Sequence, residues 1–303
     1  MARLFNAYVM IDWSGAASKG AGKDSIWIGV LKRDIRFRPT FEAFNPATRR
    51  EAEGKLREVM ADLRRRGDRA LIGFDFALGF PSGTAEMLKL KTPTWDAMWA
   101  FLAGNIVDKV DNANNRFQVA AKMNRLMTNE ARPFWGCPPR DAQTWLAAKK
   151  PAAEGAPVPP PLRRTELATQ ALGKAGAKSV WQLYGAGVVG SQTLMGIPAA
   201  KRLVDELGAH AAVWPFTTGW KALSPVDLHG LEALIVEIYP ALVPARPEPG
   251  EIPDRAQVRT LAEHFAKLDE QGRLSAAFAP PKGTDAETVA EVEREEGWIL
   301  GAG

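Results

Sequence analysis

The sequence predicts an α/β protein with a mixed sheet flanked by helices. Three observations carry that reading. The first 81 residues run through strand-type and helix-type patterns in the order β-β-β-α-β. Two of those strands are apolar runs that end in an aspartate. A long, mostly helical stretch over 82–207 then precedes two more strands and two more helices, within one domain spanning 1–303.

Residues 7–12 (AYVMID) form the first strand, which ends in Asp12 and runs into Trp13-Ser14-Gly15 and a loop of small residues and lysine. Residues 25–31 (SIWIGVL) are rich in β-branched and aromatic side chains, and 40–45 (TFEAFN) alternate. Short connections make these three an antiparallel meander. Thr48 and Glu51 have the spacing of a capping box, and Ala52, Leu56, Val59 and Leu63 then recur at helical period until Gly67. Residues 69–76 (RALIGFDF) form the fourth strand, with Asp75 near its end and Gly79-Phe80-Pro81 closing it.

The stretch 82–207 carries Trp95, Trp99, Trp135, Trp145 and Trp181, and a proline-rich loop at 156–161 that reads as its most exposed segment. Strand patterns return at 211–216 and 233–239. A helix over 254–271 places Val258, Leu261, Phe265 and Leu268 on one face. The final acidic helix, 284–296, opens at Thr284 or Asp285, and Glu287, Glu291, Glu295 and Glu296 within it read as solvated.

Composition narrows the function. The chain has 303 residues, 46% hydrophobic and 24% charged, enough for a full core and unlike a disordered chain. A single cysteine, Cys137, excludes an intrachain disulfide and a multi-cysteine zinc site, and His210, His229 and His264 lack zinc-ligand spacing. No apolar run is long enough for a membrane span, and the N-terminal run is too short for a signal peptide, so a soluble cytoplasmic protein is expected. The net charge is only +4, but 32–69 carries 12 basic and 7 acidic residues while 248–298 carries 6 and 12. The first segment suits a polyanion and the second a cation, although solvated helix faces account for either.

Asp12 and Asp75 are the leading candidate site. A crossover through the helix at 48–66 lets the first and fourth strands lie parallel and adjacent, about 4.8 Å apart. Their carboxylates then meet at the sheet edge where open α/β sheets place their sites. Such a pair repels itself, and a hard oxygen-seeking cation relieves the repulsion. Taken singly, each aspartate also reads as a turn or cap residue. Glu237, in the strand-type segment LIVEIY, and Asp285, at the start of the last helix, are the third and fourth candidates, with an edge glutamate and an N-cap as their plainer readings.

Gly185-Ala186-Gly187-Val188-Val189-Gly190 matches G-x-G-x-x-G, but the helix after it is expected to break at Gly196-Ile197-Pro198 and no acid follows at a strand end. A dinucleotide site is therefore not expected. Ser14 and Ser191 have no histidine at triad spacing, and Cys137 reads as structural.

With these residues in place, the sequence resembles a bacterial family catalogued as domain-of-unknown-function 429 and described as a predicted nuclease of ribonuclease H-like fold. The resemblance lies in Val9-Met10-Ile11-Asp12, in Ile72-Gly73-Phe74-Asp75 with Leu78-Gly79-Phe80-Pro81, in the Arg- and aromatic-rich block 124–139, and in Glu237-Ile238-Tyr239-Pro240. The family's C-terminal block carries closely spaced aspartates, where this sequence has only Thr284-Asp285-Ala286-Glu287 before a run of glutamates. The resemblance implies a ribonuclease H-like sheet with 82–207 as a helical insertion, and Asp12, Asp75, Glu237 and Asp285 as catalytic ligands of Mg²⁺ or Mn²⁺. The reaction implied is two-metal hydrolysis of phosphodiester bonds in nucleic acid or a nucleotide. Arg49, Arg50 and 64–66 are the basic residues placed to meet phosphates. Two alternatives stay open: a nucleotide-binding phosphotransferase of the related actin-like architecture, using Asp12-Trp13-Ser14-Gly15 as a phosphate loop, and a non-catalytic interaction protein that keeps the fold.

Overall fold

A computed structural model describes residues 3–34, 36, 38–152, 155–173, 176–185 and 187–303. Six strands, β1 (Ala7–Asp12), β2 (Trp27–Arg33), β3 (Pro39–Phe44), β4 (Ala70–Phe74), β5 (Ala211–Val213) and β6 (Ala233–Glu237), form one sheet in the order β3-β2-β1-β4-β6-β5. β1, β2 and β3 make the antiparallel meander, and β4, β6 and β5 run parallel to β1. The crossover from β3 to β4 is α1 (Arg49–Arg66). Thr48 Oγ1 accepts from Glu51 N, while the Glu51 carboxylate reaches back to Ala47 N, one residue before the cap. Gly67 ends the helix in the left-handed region at φ 68°, a conformation that suits glycine.

Strand alternation sends two sets of side chains to two faces. Val9, Ile11, Ile72, Phe74 and Ile235 share a core with Leu56 and Leu63 of α1. Tyr8, Met10, Leu71 and Val236 share the other with Val258, Leu261 and Phe265 of the later helix over 253–270. The sheet is thus covered on both faces, as a largely parallel sheet with buried strands requires.

The stretch after β4 folds into α2 (Thr84–Met87), α3 (Trp95–Asn105), α4 (Arg116–Met127), α5 (Arg164–Ala171) and α6 (Gly190–Leu207). Its Trp99, Phe134 and Trp181 belong to the same apolar cluster as Val9 and Ile72, so the segment adds to the first core. The proline-rich loop is held at both Pro160 O and Pro161 O, which accept from Trp181 Nε1 and Ser179 Oγ.

The expected break in α6 does not occur: its 18 residues run through Gly196 and Pro198. Gly196 is a packing notch, because a Cβ there would lie 2.3 Å from the Phe76 ring. The chain ends through α7 (Pro253–Glu270), α8 (Leu274–Ala277) and α9 (Ala286–Glu291), followed by a π-helical turn over Val292–Glu296. That turn overturns the expectation of solvated glutamates at its end. Glu295 and Glu296 are buried, and their carboxylates accept from the backbone N–H groups of Ser82, Gly83, Ala85 and Arg164. Gly79 is required beside them, since a Cβ there would lie 2.3 Å from Glu295 O. Among the described residues no helix is long and apolar enough to cross a membrane.

Candidate functional site

Register brings two of the four sequence candidates together. Ile11 pairs with Phe74 across the parallel β1–β4 ladder, and Asp75 N donates to Ile11 O at 3.2 Å. The next residue of each strand, Asp12 and Asp75, therefore falls side by side on the same face. Their carboxyl groups lie close enough that each perturbs the other's titration. Asp75 Oδ1 also accepts from Trp13 N at 2.8 Å, and Oδ2 from Gln192 Nε2 at 3.3 Å. Gln192 Nε2 donates to Trp13 O at 2.6 Å as well, tying the end of β1 to the first turn of α6.

Both carboxyls resist ionisation. Burial, followed by the Asp75 and Asp254 charges, raises Asp12 well above the carboxylate range. Burial raises Asp75 to about 7, against the lowering effect of the bond from Trp13 N.

The loop after Asp12 is fixed from below by Arg49. This arginine, expected to meet phosphates, is fully buried in a two-point ion pair with Asp108 (Nε–Oδ2 and Nη2–Oδ1, each 2.6 Å). Its Nη1 donates to Ser14 O at 3.0 Å and Ala16 O at 2.7 Å. Further along α1, Arg64, Arg65 and Arg66 pair with Glu232, Asp62 and Asp68. Gly15 packs against α6 so closely that a Cβ would lie 2.8 Å from Ser191 C and Cβ.

Glu237 does not join the pair. It pairs in register with Phe74 and Ile11, one residue short of Asp75 and Asp12, so its side chain points to the opposite face. There it is buried and fully used: Arg163 Nη1 donates to Oε2 at 2.8 Å, Arg163 Nη2 to Oε1 at 2.6 Å, and Leu78 N to Oε2 at 3.1 Å. Glu166 takes the other side of the same guanidinium. Burial works against the Arg163 charge, but the two carboxylates outweigh it and raise its pKa. Asp285 is exposed and caps α9, with Oδ1 accepting from Thr288 N at 2.7 Å. That backbone bond lowers its pKa, and the residue lines neither cavity beside Asp12.

Two cavities flank the acid pair. One, of about 550 Å³, opens on Asp12, and the other, of about 470 Å³, touches Asp12, Asp75 and the Arg163–Glu237 pair. The first holds residues that the sequence did not single out: Asp254 at the start of α7, Asp24, Arg116 and Gln192. Asp254 accepts from Asp24 N at 2.6 Å, and burial raises its carboxyl. An acid in the first turn after Pro253 reads in sequence only as a dipole-friendly helix start. Among the described residues no group of three or more His, Cys, Asp or Glu side chains is arranged to hold a metal ion. Two carboxylates in contact, both protonating readily, nonetheless suit one hard cation, since Mg²⁺ commonly takes one or two carboxylates and completes its shell with water and substrate phosphate.

Comparison with protein-family models, with curated proteins and with solved structures finds no match to this chain.

Proposed function

We propose that this protein is a metal-dependent phosphodiesterase or nuclease of ribonuclease H-like architecture, with Asp12 and Asp75 as its catalytic ligands for Mg²⁺ or Mn²⁺. The observation that carries the reading is the direct contact of two carboxyls at neighbouring parallel strand ends, in the middle of the sheet and beside a cavity. Holding like charges there costs stability, and functional sites are where such costs persist. The strand order, with an antiparallel β1–β3 meander and β4 parallel to β1, is that expected of the architecture.

When bound, the cation supplies an activated water and neutralises charge on the leaving oxygen. The chain's own groups position it. Trp13 N and Gln192 orient Asp75. Arg49 holds the carbonyls of Ser14 and Ala16, and so the loop beyond Asp12. Glu237 acts at one remove, bracing the β4–α2 turn through Leu78 N and Arg163. Asp285 serves as a cap. Hydrolysis of a phosphodiester by the full chain should require added Mn²⁺ or Mg²⁺ and disappear in Asp75→Asn, whereas turnover in chelator would overturn the reading.

One observation favours a second reading, a phosphotransferase acting on a nucleotide. The glycine loop ending at Gly190 meets the first turn of α6 on the same cavity as Ser14 and Gly15. Product analysis separates the two, since transfer delivers the phosphoryl group to an acceptor other than water.

A further inference from the structure

The cavity on Asp12 is also lined by groups of opposite character. Four arginines of the described chain are buried: Arg49, Arg116, Arg132 and Arg163. Three are matched by carboxylates, Arg49 by Asp108, Arg132 by Glu130, and Arg163 by Glu166 and Glu237. Arg116, the first residue of α4, is only 9% exposed and has no Asp or Glu oxygen within 4.0 Å among the described residues. Its Nε donates to Ser191 Oγ and its Nη1 to Asn114 Oδ1, both at 2.8 Å, and the guanidinium lies 4.2 Å from the Phe117 ring. Nη2 has no acceptor among the described residues, and the residue lines the cavity. A buried charge without a counter-ion is costly, and a bound anion relieves that cost. Burial, then the nearby Arg49 charge, pushes its pKa down to about 10, so it stays cationic at neutral pH.

The first turn of α6 supplies an independent set of donors at the same place. α6 is 18 residues long and has no side-chain cap, and the N–H groups of Ser191 and Gln192 have no acceptor among the described residues. Both residues line the cavity. Open N–H groups and the positive end of a helix dipole select anions. Asp12, Asp24 and Asp254 line the same cavity. An anion alone would be repelled by those carboxylates, but one whose oxygen also meets a cation on Asp12 would not. A tetrahedral phosphate offers oxygens to a cation and to N–H donors at once, and a guanidinium fork suits it.

We propose that Arg116, with the Ser191 and Gln192 amides, seats the phosphate group of the substrate beside the cation held by Asp12 and Asp75. The inference rests on the metal-dependent reading for its cation half only. The test is calorimetry of the full chain with a nucleoside 5′-monophosphate and with a short single-stranded oligonucleotide, each with and without Mn²⁺, on wild type and Arg116→Gln. Glutamine keeps a polar group near Ser191 and Asn114 and removes the charge. The expected result is at least about tenfold weaker binding of either phosphate ligand by Arg116→Gln, with Mn²⁺ affinity in the absence of phosphate held within about twofold. Much tighter binding of the oligonucleotide than of the monophosphate identifies a polymer as the source, and equal binding a free nucleotide. Equal ligand affinity in wild type and Arg116→Gln overturns the phosphate seat, whatever the metal does. Arg116-dependent binding that ignores Mn²⁺ keeps the seat and overturns the metal reading. Should Arg116→Gln fail to fold, Arg116→Lys replaces it, keeping the charge and losing the fork: several-fold weaker binding of either phosphate ligand is expected, and unchanged affinity overturns the phosphate seat.

Discussion

Asp12 and Asp75 end two neighbouring parallel strands side by side, and each carboxyl perturbs the other's titration. Unfolded, each carboxyl ionises near pH 4. Folded, both titrate higher, Asp75 at about 7. The folded chain therefore binds more protons than the unfolded one, so the stability Asp75 contributes is full below about pH 4 and is lost as pH rises through about 7, and Asp12, also raised, adds a loss of the same sign. In chelator, wild type should lose stability over that window, and Asp12→Asn, which removes one of the two repelling charges, should lose less. At pH 8 the variant should be the more stable by roughly 1–2 kcal/mol. Urea melts at a series of pH values read both quantities, and a variant less stable at every pH would make Asp12 a simple turn residue.

Mass action gives a second prediction. Mn²⁺ at about 100 times its dissociation constant should stabilise wild type by about 2.7 kcal/mol and leave Asp12→Asn nearly unmoved. The shift should shrink as pH falls below about 7, because the proton and the cation compete for Asp75. Thermal melts with a Mn²⁺ titration check it, and an equal shift in both proteins would place the ion elsewhere.

Gly15 should tolerate no side chain. A Cβ would lie 2.8 Å from Ser191 C and Cβ, backbone and stem atoms that cannot swing away. Gly15→Ala should cost about 1–3 kcal/mol and, by pushing the first turn of α6 from Asp75, weaken Mn²⁺ binding. Gly54→Ala in α1, where a Cβ meets nothing within 4 Å, serves as the control and should stabilise slightly.

Glu237 and Asp285 should behave as structural residues. Glu237→Gln leaves Arg163 short of one buried carboxylate and should cost about 3–5 kcal/mol, while the protein that remains folded keeps its Mn²⁺ affinity. Asp285→Ala removes an exposed cap and should cost about 1 kcal/mol, again without effect on the metal. Loss of Mn²⁺ binding in Glu237→Gln at a temperature where circular dichroism reports a folded chain would return Glu237 to the ligand set.

The acid pair was legible because it depends on local signals: two apolar runs that end in Asp, joined through a capped helix whose handedness brings them together. Glu237 was not, because its role turns on a one-residue offset in register with Phe74 that hydrophobic pattern does not reveal. The α6 helix was misread because Gly196 and Pro198 look like breakers until the Phe76 ring is placed against Gly196. Glu295 and Glu296 looked solvated because a run of charged side chains ordinarily faces water, whereas here their carboxylates accept from the N–H groups of the turn over 82–85. Arg116, Gln192 and Asp254 reach the site from segments 75 or more residues from one or another partner, such as Ser191 for Arg116, and no local pattern marks such contacts.

The most direct test of the account is a crystal of the full chain soaked in Mn²⁺ at pH 8 and measured for anomalous scattering. The account predicts a peak bridging the carboxylates of Asp12 and Asp75, absent from Asp75→Asn crystals treated alike. A wild-type map without density between those two side chains in saturating Mn²⁺ would contradict it.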